Sequence, residues 1–271
     1  MIKWLTALGL VNILEVLLVL GLTFWREHFW NAISTKDIHG FFFYLGIFTV
    51  LTLVLCFVTS SSVYFGTRAA ISWREKLSAL ANKFKTSKIE NVSQRIQADC
   101  FDYPNLCIVL GGGAFKAFLY VLLFALSIIF NFNCVWLIWI IGYSILSTVI
   151  AHYIGAPLVH LNYKNQMLEA TYRNSLTKLN FRKCIDIQLK LAKKLKHLQY
   201  FQSFYGQLGV IIPLLIIAPE YFSTTMTLGH LMQANSTMGT LSDSLSYGIN
   251  TFDQFNKLRS CKKRLKELKI I

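Results

Sequence analysis

Charged residues are scarce in this chain, and their scarcity argues against a soluble domain. Only 15% of the 271 residues are charged and 54% are hydrophobic, whereas a soluble domain carries about 25% charged residues. Several apolar runs reach the roughly 20 residues that a helix needs to cross a bilayer. We therefore predict an all-α membrane protein with several spanning helices, surrounded by membrane lipid.

Acidic residues are scarcer than basic ones, at 13 against 27, which gives a net charge of +14. Such a balance could suit nucleic acid, but the basic residues lie almost entirely between the apolar runs, so we expect no nucleic-acid partner. They concentrate in the connectors 68–102 and 159–203 and in the tail after Asp253, whereas the short loops hold only Arg26 and Lys36. By the positive-inside rule, the connectors and both termini face the cytoplasm.

Motifs for metal binding, secretion and ATP hydrolysis are also missing. The six cysteines are scattered without a C-x-x-C pair, so neither a disulfide framework nor a metal site is expected. The first apolar run lacks a small-residue cleavage site and should remain as a spanning helix. No G-x-x-x-x-G-K-S/T sequence occurs, so we do not expect this polypeptide to hydrolyse ATP, to be an enzyme or to carry a cofactor.

Six spanning helices are predicted in one transmembrane domain over residues 1–271, with the long connectors continuing as cytoplasmic helical extensions. The spans lie at about residues 4–25, 41–65, 106–130, 135–158, 204–218 and 228–252. A linker is predicted at 26–40 and a short turn at 219–227. Gly111 to Gly113 lie near the start of the third span and allow close helix contact or a bend, of which close contact is favoured. Lys116, one turn later, either extends towards the interface or faces the bundle interior.

The last span differs from the others because one of its faces is polar. Asn, Ser, Thr and Asp residues fill much of 233–251, and an apolar stripe runs along Leu241, Leu245, Ile249 and Phe252. That pattern is typical of a helix with two unlike faces. Within a membrane, the polar face needs water or another helix against it. We predict that this helix lines a polar cavity whose other walls come from the rest of the chain.

Carboxylates along such a cavity are candidate proton carriers, because desolvation favours their protonated form. The candidates are Glu15, Glu90, Asp99, Glu169 and Asp243. Glu15 and Asp243 lie inside predicted spans, where an unpaired charge is costly, so they are the strongest on physical grounds. Glu90 and Asp99 lie among basic residues and could equally form ordinary ion pairs. Glu169 has an arginine four residues later, a spacing that favours a local salt bridge.

Four segments resemble the motifs of one transporter family. The first two are Ile89–Asp99, similar to "IEGASQRVQED" and containing Gln94 and Arg95, and Asn165–Arg173, similar to "NQxxEAAYR". The other two are 228–233, which resembles "LGxLMQ" through Gly229 and Gln233, and 258–265, which resembles "(L)RSxxxRL" through Arg264. In this combination, the chain resembles the SbmA/BacA-like peptide transporters and, less closely, the transmembrane half of peroxisomal fatty-acyl ABC exporters.

The resemblance implies a type IV ABC exporter-like transmembrane domain that imports peptides and peptide-like antibiotics across the bacterial inner membrane, driven by the proton gradient. Since six helices are too few to enclose a wide polar pathway, we expect a homodimer. The alternatives are the permease half of an ABC transporter with its ATPase on a separate chain, or a scaffold that does not transport. Ala98 stands where the family usually has glutamate, so Asp99 would have to act alone.

Overall fold

The computed structural model describes residues 1–81, 92–146, 149–150, 153–154, 178–223 and 226–267, and the regular structure in these ranges is helical. The helices are α1 (Ile2–Ser34), α2 (Ile38–Ala81), α3 (Val92–Asn131), α4 (Val135–Leu146 in its described part), α5 (Lys178–Ser223), α6 (Leu228–Leu245), α7 (Tyr247–Asn250) and α8 (Phe252–Glu267). The predicted all-α class is confirmed for this part of the chain.

Four of the described helices are long and apolar enough to cross a membrane. They are Ile2–Ser34, Ile38–Leu80, Gln97–Asn131 and Phe181–Ser223. Each exceeds the roughly 20 residues that a bilayer requires, and the predicted cytoplasmic extension of the helices stays a prediction. The protein is therefore a helical membrane protein.

Two predicted loops are wrong in extent because the neighbouring helices continue through them. Helix α1 runs to Ser34, and only a short turn at Lys36, with φ at 58°, separates it from α2. Helix α5 continues through Pro213 and Pro219 to Ser223, beyond the start of the predicted turn. A proline removes one backbone hydrogen bond, but membrane helices tolerate this because neighbouring groups satisfy the freed carbonyl.

Helix α6 lies at the centre of the bundle although it is not one of the four apolar candidates. It packs against α1, α3 and α5. Its apolar side contributes Ala234, Met238 and Leu241 to a buried core. The other members come from α3, α4 and α5: Phe124, Ile128, Trp136, Ile140 and Ile217. The predicted apolar stripe is therefore confirmed at Leu241, and Leu245 packs against the same core.

The last predicted span is not one unbroken helix. Ser246 and Thr251 interrupt it and set off the single turn of α7. The backbone ladder nevertheless continues across both points, since the Asn250 N–H donates to the Ser246 carbonyl at 3.1 Å and the Phe255 N–H to the Thr251 carbonyl at 3.0 Å. The chain thus passes from α6 into α8 without a loop, and α8 packs against α3.

Candidate functional site

A cleft of about 640 Å³ lies between α1, α2 and α3 on one side and α6 to α8 on the other; we call it the central cleft. Lys116 and Tyr120 project from α3 into its wall, and α1 contributes Asn12. The opposite wall is polar and consists of Thr240, Asp243, Ser244, Tyr247, Thr251 and Gln254. The polar face predicted for the last span therefore does border an open space.

A second space of about 480 Å³, the lateral cleft, lies between α5 and the other side of α6. Arg26, Tyr205, Asn235 and Ser242 are among its lining residues. Thr240 and Asp243 line both clefts. Asp243 is exposed at the junction of the two spaces, and no ion pair joins it to another residue that the structure describes.

Glu15 lies behind the wall of the central cleft and is paired with a cation. Lys116 Nζ is 3.1 Å and 3.2 Å from its two carboxylate oxygens. The Lys116 side chain is 27% exposed and that of Glu15 11%, and Lys116 lines the cleft whereas Glu15 does not. Of the two positions open to Lys116, the structure places it in the bundle interior.

Asp99 lies away from both clefts and forms a two-pronged ion pair with Arg264. The Arg264 Nη2 donates to Oδ1 at 2.7 Å, and Nε lies 3.0 Å and 2.9 Å from the two carboxylate oxygens. Hydrogen bonding to Asp99 raises the pKa of Arg264 above its ordinary value. This contact joins the connector motif on α3 to the tail motif on α8, which the sequence predicted separately.

The start of α6 is fixed to the end of α1 by close backbone contact. The Gly229 N–H donates to Asn31 Oδ1 at 2.9 Å. A Cβ at Gly229 would overlap the Glu27 carbonyl and the Asn31 side chain, so only glycine fits there without displacement. His230 adds a contact of 3.4 Å between Nδ1 and Glu27 Oε1. Further along α6, Gln233 is buried.

Several predicted residues fall outside what the structure describes. Glu90, Glu169 and Arg173 lie outside the described residues, and the side chains of Gln94 and Arg95 are not described although their backbone is helical. Their proposed roles stay predictions.

Sequence reasoning overlooked one buried polar contact between α1 and α2. Asn12 Oδ1 accepts a hydrogen bond from Ser62 Oγ at 2.8 Å, and both residues line the central cleft. A signal was available, because an asparagine in the middle of an apolar run is costly in lipid and should face the protein interior.

Comparison with known proteins gives one family. The model of the SbmA/BacA-like family matches residues 6–270. Two Haemophilus influenzae proteins, each named an uncharacterized ABC transporter ATP-binding protein, are 27% and 22% identical over 82% and 98% of this chain, which covers 45% and 52% of their lengths. The Escherichia coli inner membrane ABC transporter ATP-binding protein YddA is 22% identical over 90% of this chain and is covered over 52% of its length. The chain thus spans about half the length of these curated relatives.

Proposed function

The chain belongs to the SbmA/BacA-like family, and on that premise we propose that it imports peptides and peptide-like antibiotics across a bacterial inner membrane, driven by the proton gradient. Its architecture is that of a helical transmembrane transporter domain with several candidate spans. Its curated relatives include a protein named for the inner membrane. The cargo, the energy source and the direction of transport are the parts that we propose.

The observation that carries the proposal is the position of Asp243. Of the predicted acids that the structure describes, Glu15 is paired with Lys116 and Asp99 with Arg264. Both carboxylates are therefore engaged by a cation, and neither lines the central or the lateral cleft. Asp243 has no such partner among the described residues and borders both clefts. We assign proton loading and release to this side chain.

The same carboxylate also favours cationic cargo. A cleft lined by one sign of charge concentrates ligands of the opposite sign. The hydroxyl groups of Thr240 and Ser244 lie on the same wall as Asp243. They donate to carbonyls of their own helix, and their oxygens can accept hydrogen bonds from peptide N–H groups. A basic peptide therefore suits this wall better than an acidic one.

Two copies of the chain would complete the pathway. Asp243 is exposed in the single chain, and an exposed carboxylate on a membrane helix is costly against lipid. A second copy placed over the polar face of α6 would replace that lipid with a shared, water-filled chamber. This supports the homodimer that the sequence predicted.

Uptake of a fluorescent cationic peptide into proteoliposomes tests the proposal. With an imposed pH difference the unmodified protein should accumulate the peptide, and Asp243→Asn should abolish gradient-driven accumulation. Asp186→Asn is the matched control, because Asp186 is exposed on the basic stretch of α5, away from both clefts. Accumulation by Asp243→Asn at the unmodified rate would remove the basis for proton coupling at this site.

The second candidate is the permease half of an ABC transporter with a separate ATPase chain. The two Haemophilus influenzae relatives, which are named ABC transporter ATP-binding proteins and are about twice as long as the matched region, favour it. Under this reading, ATP depletion with the proton gradient clamped should stop uptake in membrane vesicles. Under the first reading, only collapse of the gradient should do so. If the unmodified protein and the variants Glu15→Gln, Asp99→Asn and Asp243→Asn all gave only the uptake of protein-free liposomes, a scaffold without transport activity would be favoured.

A further inference from the structure

We propose that Lys116 binds the terminal carboxylate of the cargo in the central cleft, while Asp243 on the opposite wall binds a cationic group of the same molecule. This inference rests on the proposed function and narrows its substrate class to peptides with a free carboxyl terminus. Among the described residues that line the cleft, Lys116 and Asp243 are the charged ones. They lie on different walls and have opposite sign.

Helix α3 presents Lys116 on a face that also carries two glycines. Gly112 and Gly113 precede it by one turn and Tyr120 follows by one turn, and all four line the central cleft. Residues three and four apart share one helix face. The Tyr247 ring packs closely over Gly113, whereas Gly112 has only ordinary contacts near it. A carboxylate can therefore approach Lys116 on the Gly112 side of the cleft.

The hydrogen bonds of Lys116 leave capacity for a second anion. An ammonium group has three N–H donors and no acceptor. Its contacts with Glu15, at 3.1 Å and 3.2 Å, go to the two oxygens of one carboxylate. Glu15 is not among the residues that line the cleft. Glu15 therefore contacts Lys116 on the side away from the cleft, and a cargo carboxylate can bind on the side that lines the cleft.

The charge pattern selects a zwitterionic ligand. A polyamine would be attracted by Asp243 but repelled by Lys116. A dicarboxylate would be attracted by Lys116 but repelled by Asp243. A peptide with a cationic side chain and a free carboxyl terminus satisfies both walls. The cleft volume of about 640 Å³ lies within the range of about 300–1,000 Å³ that is usual for ligand pockets.

Two peptides that differ only at the carboxyl terminus test the inference. A short lysine-containing peptide labelled at its N-terminus is prepared as the free acid and as the C-terminal amide, and binding to the full chain in nanodiscs is measured by fluorescence anisotropy. The acid should bind about tenfold more tightly than the amide, which is the usual size of a charge-assisted contact. Lys116→Gln should remove this preference, and Lys116→Arg should keep it.

Glu15→Gln separates a binding role of Lys116 from a structural one. It frees the ammonium group from its standing partner, so the preference for the free acid should rise above that of the unmodified protein. If Lys116 served only to neutralise Glu15, this variant would leave the ratio unchanged. Lys3→Gln is the matched control, because it also removes one lysine charge from an exposed position that does not line the cleft.

A folding defect in Lys116→Gln is controlled by the charge-balanced double variant Glu15→Gln/Lys116→Gln, which leaves no uncompensated carboxylate. It should remain monodisperse and bind acid and amide equally. Equal binding of the two peptides by the unmodified protein, a preference that persists in the double variant, or no binding of either peptide would overturn the inference. The binding assay uses no proton gradient. If the preference for the free acid depends on Lys116 but an imposed pH difference drives no uptake, proton coupling is refuted and the carboxylate-binding site is not.

Discussion

Replacing Arg264 with alanine should destabilise the contact between α3 and α8. Asp99 is 2% exposed, and Arg264 donates to its two carboxylate oxygens at 2.7 to 3.0 Å. The Cys261 thiol is a further, weaker hydrogen-bond partner, so Arg264→Ala would leave this carboxylate buried without a cationic partner. Breaking a fully buried pair costs about 3–5 kcal/mol. Since the Arg264 side chain is 38% exposed, water can partly replace it, and we expect about 2–3 kcal/mol.

Thermal unfolding in nanodiscs, followed by tryptophan fluorescence, measures this effect. With a shift of about 2–4 °C per kcal/mol, Arg264→Ala should lower the Tm by roughly 5–10 °C. The double variant Asp99→Asn/Arg264→Gln should recover much of that loss, because it buries no charge. Arg259→Ala is the matched control: Arg259 is exposed on the same helix, and its removal should change stability by less than about 0.5 kcal/mol.

The reasoning fails if Arg264→Ala and Arg259→Ala lower the Tm equally, or if the double variant is no more stable than Arg264→Ala. Either result would mean that water solvates the Asp99 carboxylate well enough to replace Arg264. Asp99 would then return as a candidate for proton transfer, alongside Asp243.

Two further contrasts follow from neighbouring residues in different surroundings. Gly113→Ala should destabilise the fold by about 1–3 kcal/mol, because its Cβ would overlap Tyr247. Gly111→Ala should be neutral or stabilise by up to about 1 kcal/mol, since nothing lies within 4 Å of the added carbon. Equal melting temperatures of the two variants would contradict this packing. Burial raises the pKa of the Cys261 thiol, so less thiolate is present at neutral pH. Maleimide should therefore label Cys261 far more slowly than the exposed Cys134. Similar labelling rates of the two cysteines in mass spectra would be inconsistent with a buried Cys261.

Glycine spacing shows how far local patterns reach. The sequence predicted close helix contact from Gly111 to Gly113 without distinguishing among them. The structure places a tight contact at Gly113, ordinary contact at Gly112 and none at Gly111. Tyr247, which makes the tight contact, donates to the Leu110 carbonyl at 3.0 Å from far along the chain. Which of the three glycines makes a tight contact depends on where α7 docks against α3. The residues next to the glycines do not determine that docking.

The membrane class, the long helices and the two unlike faces of the last span could be predicted from the sequence. Each of them depends on the hydropathy or periodicity of consecutive residues, which a linear pattern records directly. The extents of the loops at 26–40 and 219–227 were wrong for a related reason. Helix ends depend on tertiary contacts, such as the docking of Gly229 against α1, as well as on the local residues.

The partner of each acid was decided by tertiary structure alone. Glu15 and Lys116 are 101 residues apart in sequence, and Asp99 and Arg264 are 165 apart. The sequence marked Glu15, Asp99 and Asp243 as candidates, with Glu15 and Asp243 the strongest on physical grounds. Only the packing of α1, α3, α6 and α8 paired Glu15 and Asp99 with cations and left Asp243 facing the clefts. A carboxylate changes its chemistry with the charge beside it, and helix packing determines which charge that is.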